Sequence, residues 1–230
     1  MAGHSAAELA ALDALLVNAE DRKWQSFYED RQRACPFFVD VPDENLVRWV
    51  ESGVLPRGAA IDLGCGQGRN AVYLARQGWR VQAVDFSASA VAWARERVAA
   101  SAVDVTVMRS SVFGLPASLG HFDLVYDGGC FHHVAPHRRQ AYVEVVAGLL
   151  RPGGCFGLVC FTPEGGSGYS DAEVYEKRSL GGGLGYTEAQ LRAIWSGPFE
   201  IESIATMEEQ AAGASTFGRG FLWTLLARRR

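Results

Sequence analysis

The chain has 230 residues, of which 48% are hydrophobic, and a formal net charge of −4. This length allows one well-buried core and argues against a second full domain, and the charge argues against a nucleic-acid partner, because phosphate binding usually needs a basic face. Five scattered cysteines without Cys-x-x-Cys spacing argue against a disulfide framework or a zinc site.

No targeting or membrane segment is predicted. The apolar residues 9–17 are interrupted by Asp13, and no basic run precedes them, so they do not resemble a signal peptide. No apolar stretch approaches the roughly 20 residues that span a bilayer. We therefore expect a cytoplasmic protein without a membrane partner, and the sequence leaves the oligomeric state open.

The first predicted element is an amphipathic helix over residues 6–20, in which leucines recur at helical spacing. An aromatic segment follows, with Trp24, Phe27, Tyr28, Phe37 and Phe38. Asp43 is predicted to cap a short helix that ends near Gly53. Because this part of the chain lies outside the strand–helix alternation described next, we interpret residues 1–57 as a helical and aromatic lid that excludes water from a site.

From residue 58 onward, short apolar strands alternate with helices. The predicted strands are residues 59–63, 81–84, 103–108, 122–126 and 155–161. This alternation predicts right-handed crossovers and a parallel sheet covered on both faces. Residues 199–207 and 217–226 have no helical pattern between them and are predicted to pair as an antiparallel hairpin at a sheet edge. We therefore predict a single α/β domain over residues 1–230, with a doubly wound, mostly parallel core over residues 58–230.

The strongest functional signal is the run Ile61-Asp-Leu-Gly-Cys-Gly-Gln-Gly-Arg-Asn70 between the first strand and its helix. Glycines there let a ligand approach the backbone and permit positive φ. Dinucleotide-binding loops read G-x-G-x-x-G, and their last glycine allows close packing of helix on strand. Here Arg69 holds that position, and Asp62 precedes a G-x-G-x-G loop. The loop therefore argues against a nicotinamide-dependent oxidoreductase.

Two further strand ends carry residues suited to a nucleoside. Asp85 ends the second strand and is followed by Phe86, and an acid at this place accepts hydrogen bonds from both hydroxyls of a ribose. Ser111 and Val112 follow the third strand, where a polar and then an apolar residue suit the edge of an adenine. The alternative, that the glycines only make a tight turn, leaves these matching strand ends unexplained.

At these residues the sequence resembles the class I S-adenosylmethionine-dependent methyltransferases. The loop at residues 62–68 is similar to their first motif, Asp85 to their ribose acid, and Arg151-Pro-Gly-Gly154 to the turn before their fifth strand. The resemblance implies a Rossmann-like core and S-adenosyl-L-methionine as cofactor, with its methionine end at the glycines of the loop. The implied cofactor-binding residues are Trp24, Asp62, Gly64, Cys65, Gly66, Asn70, Asp85, Phe86, Ser111 and Val112.

A narrower resemblance extends beyond the loop. Trp24 with Tyr28, together with the run at residues 122–131, resembles the thiopurine, thiol and tellurite-resistance branch, which methylates small, often soft acceptors. In that branch an N-terminal tryptophan helps to enclose the cofactor. The chain departs from the branch at Gly165-Gly-Ser-Gly-Tyr169, where Gly-Pro-Pro-Tyr is common, and at the pair His132-His133.

The end of the fourth strand is expected to face the acceptor, because ligands of doubly wound sheets lie beyond the carboxyl ends of the strands. The candidate catalytic residues are His133, His132 and Asp127, and the candidate substrate-contacting residues are Tyr28, Tyr126 and Phe131. Histidine suits base work near neutral pH, although His133 could instead orient the turn and Asp127 could cap it. No metal site is expected at the two histidines, because adjacent side chains diverge and no further ligand completes a set.

The favoured function is therefore methyl transfer from S-adenosyl-L-methionine to a small molecule, at an S, N, O or C atom. The alanine-, arginine- and glycine-rich composition is compatible with secondary metabolism. One alternative is a methyltransferase for nucleic acid or protein, which the charge disfavours, as does the absence of an Asn/Asp-Pro-Pro-Tyr run after strand four. Another alternative is a non-catalytic module that binds the cofactor.

Overall fold

Helices and strands alternate along most of the chain. The computed structural model describes residues 5–230, except for the side chains of residues 6 and 17–22. The helices are α1 (Ala6–Glu29), α2 (Glu44–Glu51), α3 (Arg69–Arg76), α4 (Ala88–Ser101), α5 (Arg139–Leu149), α6 (Asp171–Glu176) and α7 (Glu188–Trp195). The strands are β1 (Ala59–Leu63), β2 (Arg80–Asp85), β3 (Val105–Arg109), β4 (Phe122–Gly128), β5 (Leu150–Phe161), β6 (Phe199–Thr206) and β7 (Leu222–Arg229).

The strands form one seven-stranded sheet in the order β3-β2-β1-β4-β5-β7-β6. The first five strands pair in parallel, and β7 pairs antiparallel with both β5 and β6. The predicted doubly wound α/β fold, mostly parallel with an antiparallel C-terminal hairpin, is thereby confirmed. The last strand lies inside the sheet rather than at its edge, and it begins at Leu222 instead of residue 217.

The core has a separate cluster on each face of the sheet. Alternate residues of β1 point to opposite faces, as the period of two in a strand requires. Ile61 and Leu63 belong to one cluster, with Phe131, Tyr142 and Trp195 from the covering elements. Ala60 belongs to the other cluster, with Trp49, Leu74 and Tyr126. Apolar packing on both faces explains why the central strands read as nearly continuous apolar runs.

Helix α1 is longer than predicted, because it continues through the first aromatic residues to Glu29. It begins with a capping box between Ser5 and Glu8, and neither glycine nor proline interrupts it. Trp24, Phe27 and Tyr28 follow one another at helical spacing on one face. Gln25 accepts a hydrogen bond from the backbone N–H of Ala88 at 3.0 Å, so α1 lies against the start of α4. The boundary of the lid at residue 57 stays a prediction.

Asp43 stands at the N-cap of α2 but makes no side-chain cap, so the predicted cap is wrong. Its buried carboxylate instead accepts hydrogen bonds from Arg69 at 2.5 Å, from Nδ2 of Asn70 at 2.8 Å and from the hydroxyl of Tyr126 at 2.7 Å. A guanidinium and two further donors occupy the lone pairs that a cap would use. These four residues, the Asp43 cluster, join the segment before α2 to the start of α3.

Candidate functional site

A cavity of about 310 Å³ lies at the carboxyl ends of β1, β4 and β5, beneath α1. Its volume falls at the lower end of the range typical of small-molecule sites. The residues that shape it come from α1, the turn after β1, the segment after β4, the end of β5 and the loop before β7. In that order they include Trp24, Phe27, Tyr28, Gly64, Cys65, Gly66, His132, His133, Phe161 and Phe221.

The turn after β1 presents its backbone to this cavity. Gly64, Gly66 and Gly68 have φ of +65°, +53° and +79°, a region that favours glycine. A Cβ atom on Gly64 would lie 2.6 Å from Cβ of Cys130, and one on Gly66 would lie 2.6 Å from the hydroxyl of Tyr28. Conformation and close approach therefore both require glycine at Gly64 and Gly66.

Asp62 contributes an unpaired oxygen to the cavity wall. The side chain is buried, and no hydrogen-bond partner reaches Oδ2. Burial raises the pKa of Asp62 well above its usual value, and the nearby charge of Asp43 raises it further. A buried carboxylate oxygen without a donor costs free energy. The position fits a ligand that brings an amino group, such as the methionine end of S-adenosylmethionine.

Asp85 is held at the end of β2 by two backbone donors. Its carboxylate accepts hydrogen bonds from the N–H of Gly66 at 3.0 Å and from the N–H of Ser87 at 2.8 Å. Burial raises the pKa of Asp85 to about 6. A carboxylate has about four lone-pair sites, so two remain for further donors. The link to Gly66 connects the predicted ribose acid to the glycine turn.

The nucleoside half of the predicted cofactor set lies outside the cavity. Phe86 is 37% exposed, and the hydroxyl of Ser111 accepts a hydrogen bond from the N–H of Phe113. Val112 is buried in the core cluster that also contains Leu16 of α1. Asp85, Phe86, Ser111 and Val112 do not border the cavity. Their contacts with a nucleoside stay predictions.

Asp127 corrects the predicted catalytic set. Its fully buried carboxylate accepts hydrogen bonds from the N–H groups of Gly129, Cys130 and Phe131 at 2.6–3.0 Å, and from the hydroxyl of Tyr142 at 2.6 Å. Burial raises its pKa to about 6. Asp127 does not border the cavity. The side chain of Asp127 holds the turn after β4, as in the alternative in which Asp127 caps this turn.

Tyr126 and Phe131 correct the predicted substrate-contacting set. The hydroxyl of Tyr126 is turned toward Asp43, on the face of the sheet that packs against α2 and α3. The ring of Phe131 packs against Tyr186 and Trp195, with centroids 5.1 and 5.0 Å apart. Both side chains are fully buried in the two cores and do not border the cavity. Of the three predicted residues, only Tyr28 does.

Asn70 borders the cavity, but its amide is already engaged. Oδ1 accepts the N–H of Asp43 at 3.0 Å, and Nδ2 donates to the carboxylate of Asp43. The side chain therefore belongs to the Asp43 cluster, and one N–H of its amide remains for a ligand. A contact of Asn70 with the cofactor stays a prediction.

His132 and His133 form one side of the cavity. The ring of His132 stacks on Phe161, with centroids 3.9 Å apart and an interplanar angle of 21°. The ring of His133 meets Trp24 edge to face at 4.5 Å. Burial lowers the pKa of His132 to about 3. Burial also lowers the pKa of His133 well below its usual value, and the charges of His132 and Lys23 lower it further.

Sequence reasoning missed several residues of the cavity wall. Phe161 is the last residue of β5, and its place at the carboxyl end of a parallel strand was an available signal. Phe217 and Phe221 come from the loop before β7 and carried no local signal. Phe217 also lies under the guanidinium of Arg69, 4.7 Å from the ring centroid. Phe217 and Phe221 reach the cavity because β7, which follows them, lies next to β5 in the sheet.

Among the described side chains, no group of three or more histidine, cysteine, aspartate or glutamate residues is placed to hold a metal ion. Within residues 5–230, no helix is both long enough and apolar enough to cross a membrane.

Comparison with known proteins agrees with this geometry. Residues 60–154 match a family described as a methyltransferase domain. The chain is 34% identical over 122 residues to the uncharacterized methyltransferase sll0829 of Synechocystis sp.. The aligned region covers 53% of this chain and 53% of that relative. It is 38% identical over 109 residues to the ribosomal RNA small subunit methyltransferase C of Alcanivorax borkumensis, which covers 44% of this chain and 32% of the relative. The chain thus spans about half of the first relative and about a third of the second.

A solved structure extends the likeness to the whole fold. The 1,6-didemethyltoxoflavin-N1-methyltransferase of Burkholderia thailandensis, solved with 1,6-didemethyltoxoflavin and S-adenosylhomocysteine, superposes with a TM-score of 0.68. The match covers 100% of this chain and 92% of that one at 21% identity. The likeness in fold covers the whole chain at this low identity, and the match to a methyltransferase domain covers residues 60–154.

Proposed function

We propose that the chain transfers the methyl group of S-adenosyl-L-methionine to a small-molecule acceptor held beneath α1. One observation carries this proposal: a single cavity joins the glycine turn and the unpaired oxygen of Asp62 to an aromatic wall. The backbone at Gly64 and Gly66 would hold the methionine end, and Asp62 would accept a hydrogen bond from its amino group. The acceptor would lie against Trp24 and His133.

The cofactor supplies a methyl group on a sulfonium that is already activated for displacement. The chain therefore needs to contribute mainly proximity, which is worth roughly 7–11 kcal/mol in well-oriented reactions. The aromatic residues of α1 would exclude water from the reacting atoms. Because proximity and the exclusion of water depend only on how the residues are placed, the cavity needs no large set of catalytic groups.

A small acceptor is favoured over a macromolecule by the cavity and the charge. A cavity of about 310 Å³ under a helix suits a compact ligand, and the net charge of −4 does not suit a phosphate backbone. The toxoflavin methyltransferase, whose fold is similar, was solved with a small heterocycle. The ribosomal RNA methyltransferase among the relatives supports the alternative acceptor, so RNA belongs in the test.

The experiment first measures binding of S-adenosylhomocysteine by calorimetry and then its release from S-adenosylmethionine with thiols, ring nitrogens, phenols, amines and ribosomal RNA. Asp62→Asn should weaken binding by about 1.5–3 kcal/mol, the range for a charged hydrogen-bond partner. Asp104→Asn, at an exposed position outside the cavity, is the matched control. Turnover with RNA alone would contradict the small-molecule proposal, and binding without any turnover would favour a non-catalytic module.

We also propose a reducing, cytoplasmic location. All five cysteines are free thiols, and three of them are buried in the fold. Unpaired cysteines are typical of compartments in which glutathione and thioredoxin keep thiols reduced. Equal activity and melting temperature with and without a reductant such as dithiothreitol, together with a full count of five titratable thiols after unfolding, would support this proposal.

A further inference from the structure

His132 and His133 lack the partners that a proton-transferring histidine needs. Nδ1 of each ring is buried without a hydrogen-bond partner. A histidine that acts as a base usually donates its other ring N–H to a carboxylate or carbonyl, which fixes the tautomer and stabilises the imidazolium. Here the neighbours of the two rings are Phe161, Trp24 and each other.

Protonation of His133 would therefore create an unfavourable species. If Nε2 took a proton from an acceptor, Nδ1 would have to carry its own hydrogen, buried and without an acceptor. The resulting imidazolium would also lie near the positive charge of Lys23. The lowered pKa of both rings has the same cause, because burial penalises the charged form.

The other titratable groups that border the cavity do not replace the histidines. The free oxygen of Asp62 lies beside the glycine turn, where we place the cofactor's amino group. Burial raises the pKa values of the Tyr28 hydroxyl and the Cys65 thiol, so both are neutral at pH 7. Arg69 is paired with Asp43. Lys23 also borders the cavity, and its positively charged ammonium lies 5.7 Å from the ring centroid of Trp24. Among the described side chains, the acceptor side of the cavity therefore holds no group suited to taking a proton.

We propose that His132 and His133 form a neutral wall that selects acceptors whose nucleophilic atom carries no proton at neutral pH. An aromatic ring nitrogen and an anion that is already ionised belong to this class, whereas an ammonium or an un-ionised hydroxyl does not. The inference rests on the proposed function. The acceptor's lone pair forms the bond to the methyl carbon, the bond from that carbon to sulfur breaks, and its electron pair stays on sulfur. No proton moves, so no base is needed.

The first test compares ring-matched probes. Pyridine and piperidine differ in whether nitrogen is protonated at neutral pH, and thiophenol and phenol differ in how readily they ionise. Release of S-adenosylhomocysteine should be fast with pyridine and thiophenol. With piperidine and phenol the rate should rise tenfold per pH unit from pH 7 to 9, following the ionisation of the acceptor alone. Rapid, pH-independent methylation of piperidine or phenol would overturn the proposal.

Substitution of His133 separates a wall from a base. In His133→Phe, the KM for pyridine should change because the wall is reshaped, whereas with phenol, which must lose a proton, kcat should stay close to the wild-type value and its pH profile should keep its shape. Loss of a general base would instead lower kcat by roughly 10²–10⁴ and remove an ionisation from the profile. That second result contradicts the proposal.

A third readout needs neither acceptor nor turnover. The imidazole resonances of the wild-type chain, assigned by their loss in His132→Phe and His133→Phe, should show both rings neutral from pH 8 down to pH 5. A protonation midpoint between pH 6 and 7 for His133 overturns the proposal whatever the kinetics show. Failure to bind S-adenosylhomocysteine in calorimetry would instead count against the proposed function, so the two failures are distinguishable.

Discussion

The two sides of the cavity are built by different means. On the side where we propose the cofactor (the cofactor side), the N–H of Gly66 in the turn from Gly64 to Gly68 donates a hydrogen bond to Asp85, which lies just outside the cavity, and the Asp43 cluster supports the helix that follows. On the acceptor side, aromatic rings pack against two histidines that have no hydrogen-bond partner for Nδ1.

This difference indicates which part of the site tolerates change. A backbone turn with positive φ has a single geometry, and a substitution there disturbs it as a whole. In a wall of aromatic side chains, a single substitution changes the shape only locally, because each side chain contributes only part of the packing. We therefore expect substitutions on the cofactor side to affect folding and cofactor affinity, and those on the acceptor side to affect the choice of acceptor.

The largest effect is expected beneath the cofactor side, at Arg69. Arg69→Met removes the guanidinium that pairs with the buried Asp43 and should lower the free energy of unfolding by about 3–5 kcal/mol, the cost of an uncompensated buried charge. Denaturant titration measures it. Arg31→Met breaks an exposed ion pair with Glu96 and serves as the control, with little change expected. If the two variants unfolded at the same denaturant concentration, the Asp43 cluster would not support the turn after β1.

Gly64→Ala tests the turn itself. The new Cβ atom would lie 2.6 Å from Cβ of Cys130, so the cost of overpacking, about 1–3 kcal/mol, adds to a left-handed conformation that costs about 1–2 kcal/mol. Gly78→Ala is the control. Gly78 has φ of +86° and open space around it, so this substitution carries only the conformational cost. Calorimetry with S-adenosylhomocysteine should show weakened binding in Gly64→Ala alone. Comparable binding by both variants would remove the turn from the cofactor site.

Asp85 allows the cofactor side to be tested by pH. If Asp85 binds the ribose as predicted, the ribose hydroxyls would donate to its ionised carboxylate. Because burial raises the pKa of Asp85 to about 6, affinity for S-adenosylhomocysteine should be constant above pH 7 and fall as the pH drops below 6. Asp85→Asn should lower affinity by about 1.5–3 kcal/mol and remove the pH dependence of binding between pH 5 and 7. If binding by Asp85→Asn still depends on pH in this range, a group other than Asp85 causes the pH dependence.

The smallest effect is expected at Tyr126. Tyr126→Phe removes the hydroxyl that donates to Asp43 and accepts from Nδ2 of Asn45. It should lower the free energy of unfolding by about 1.5 kcal/mol, the lower end for a charged hydrogen-bond partner, with the acceptor KM unchanged because the side chain lies outside the cavity. Tyr28→Phe is the matched variant inside it, where the hydroxyl approaches Gly66, and it should change ligand binding. A changed acceptor KM in Tyr126→Phe would return this residue to the substrate-contacting set.

The geometry of the turn after β1 and of the end of β2 was largely predictable because its signals are local. Gly64, Gly66 and Asp85 follow strands whose apolar pattern places them at one edge of the sheet. The role of Asp127 also had a local signal, since an aspartate before two glycines often binds the N–H groups that follow it. The partner of Tyr126 did not, because Asp43 lies 83 residues away in the sequence. Contacts of this kind depend on tertiary packing.

Helix α6 was not predicted, although Ser170 and Glu173 form a capping box at its start. Its six residues are too short to show an apolar period. Helix α1 extends beyond its predicted end at residue 20, because Trp24, Phe27 and Tyr28 continue the helical spacing. For α6, the capping box at its start held the information that its length did not.

The position of β7 has a consequence for how the chain folds during synthesis. Residues 222–229 are made after β6, yet they lie between β5 and β6. Until they emerge from the ribosome, Cys155–Phe161 of β5 presents an open edge of unpaired N–H and C=O groups, and β6 has no neighbour to pair with. Such edges promote association between nascent chains. The parallel strands can assemble early, but these edges are covered only once β7 has been made.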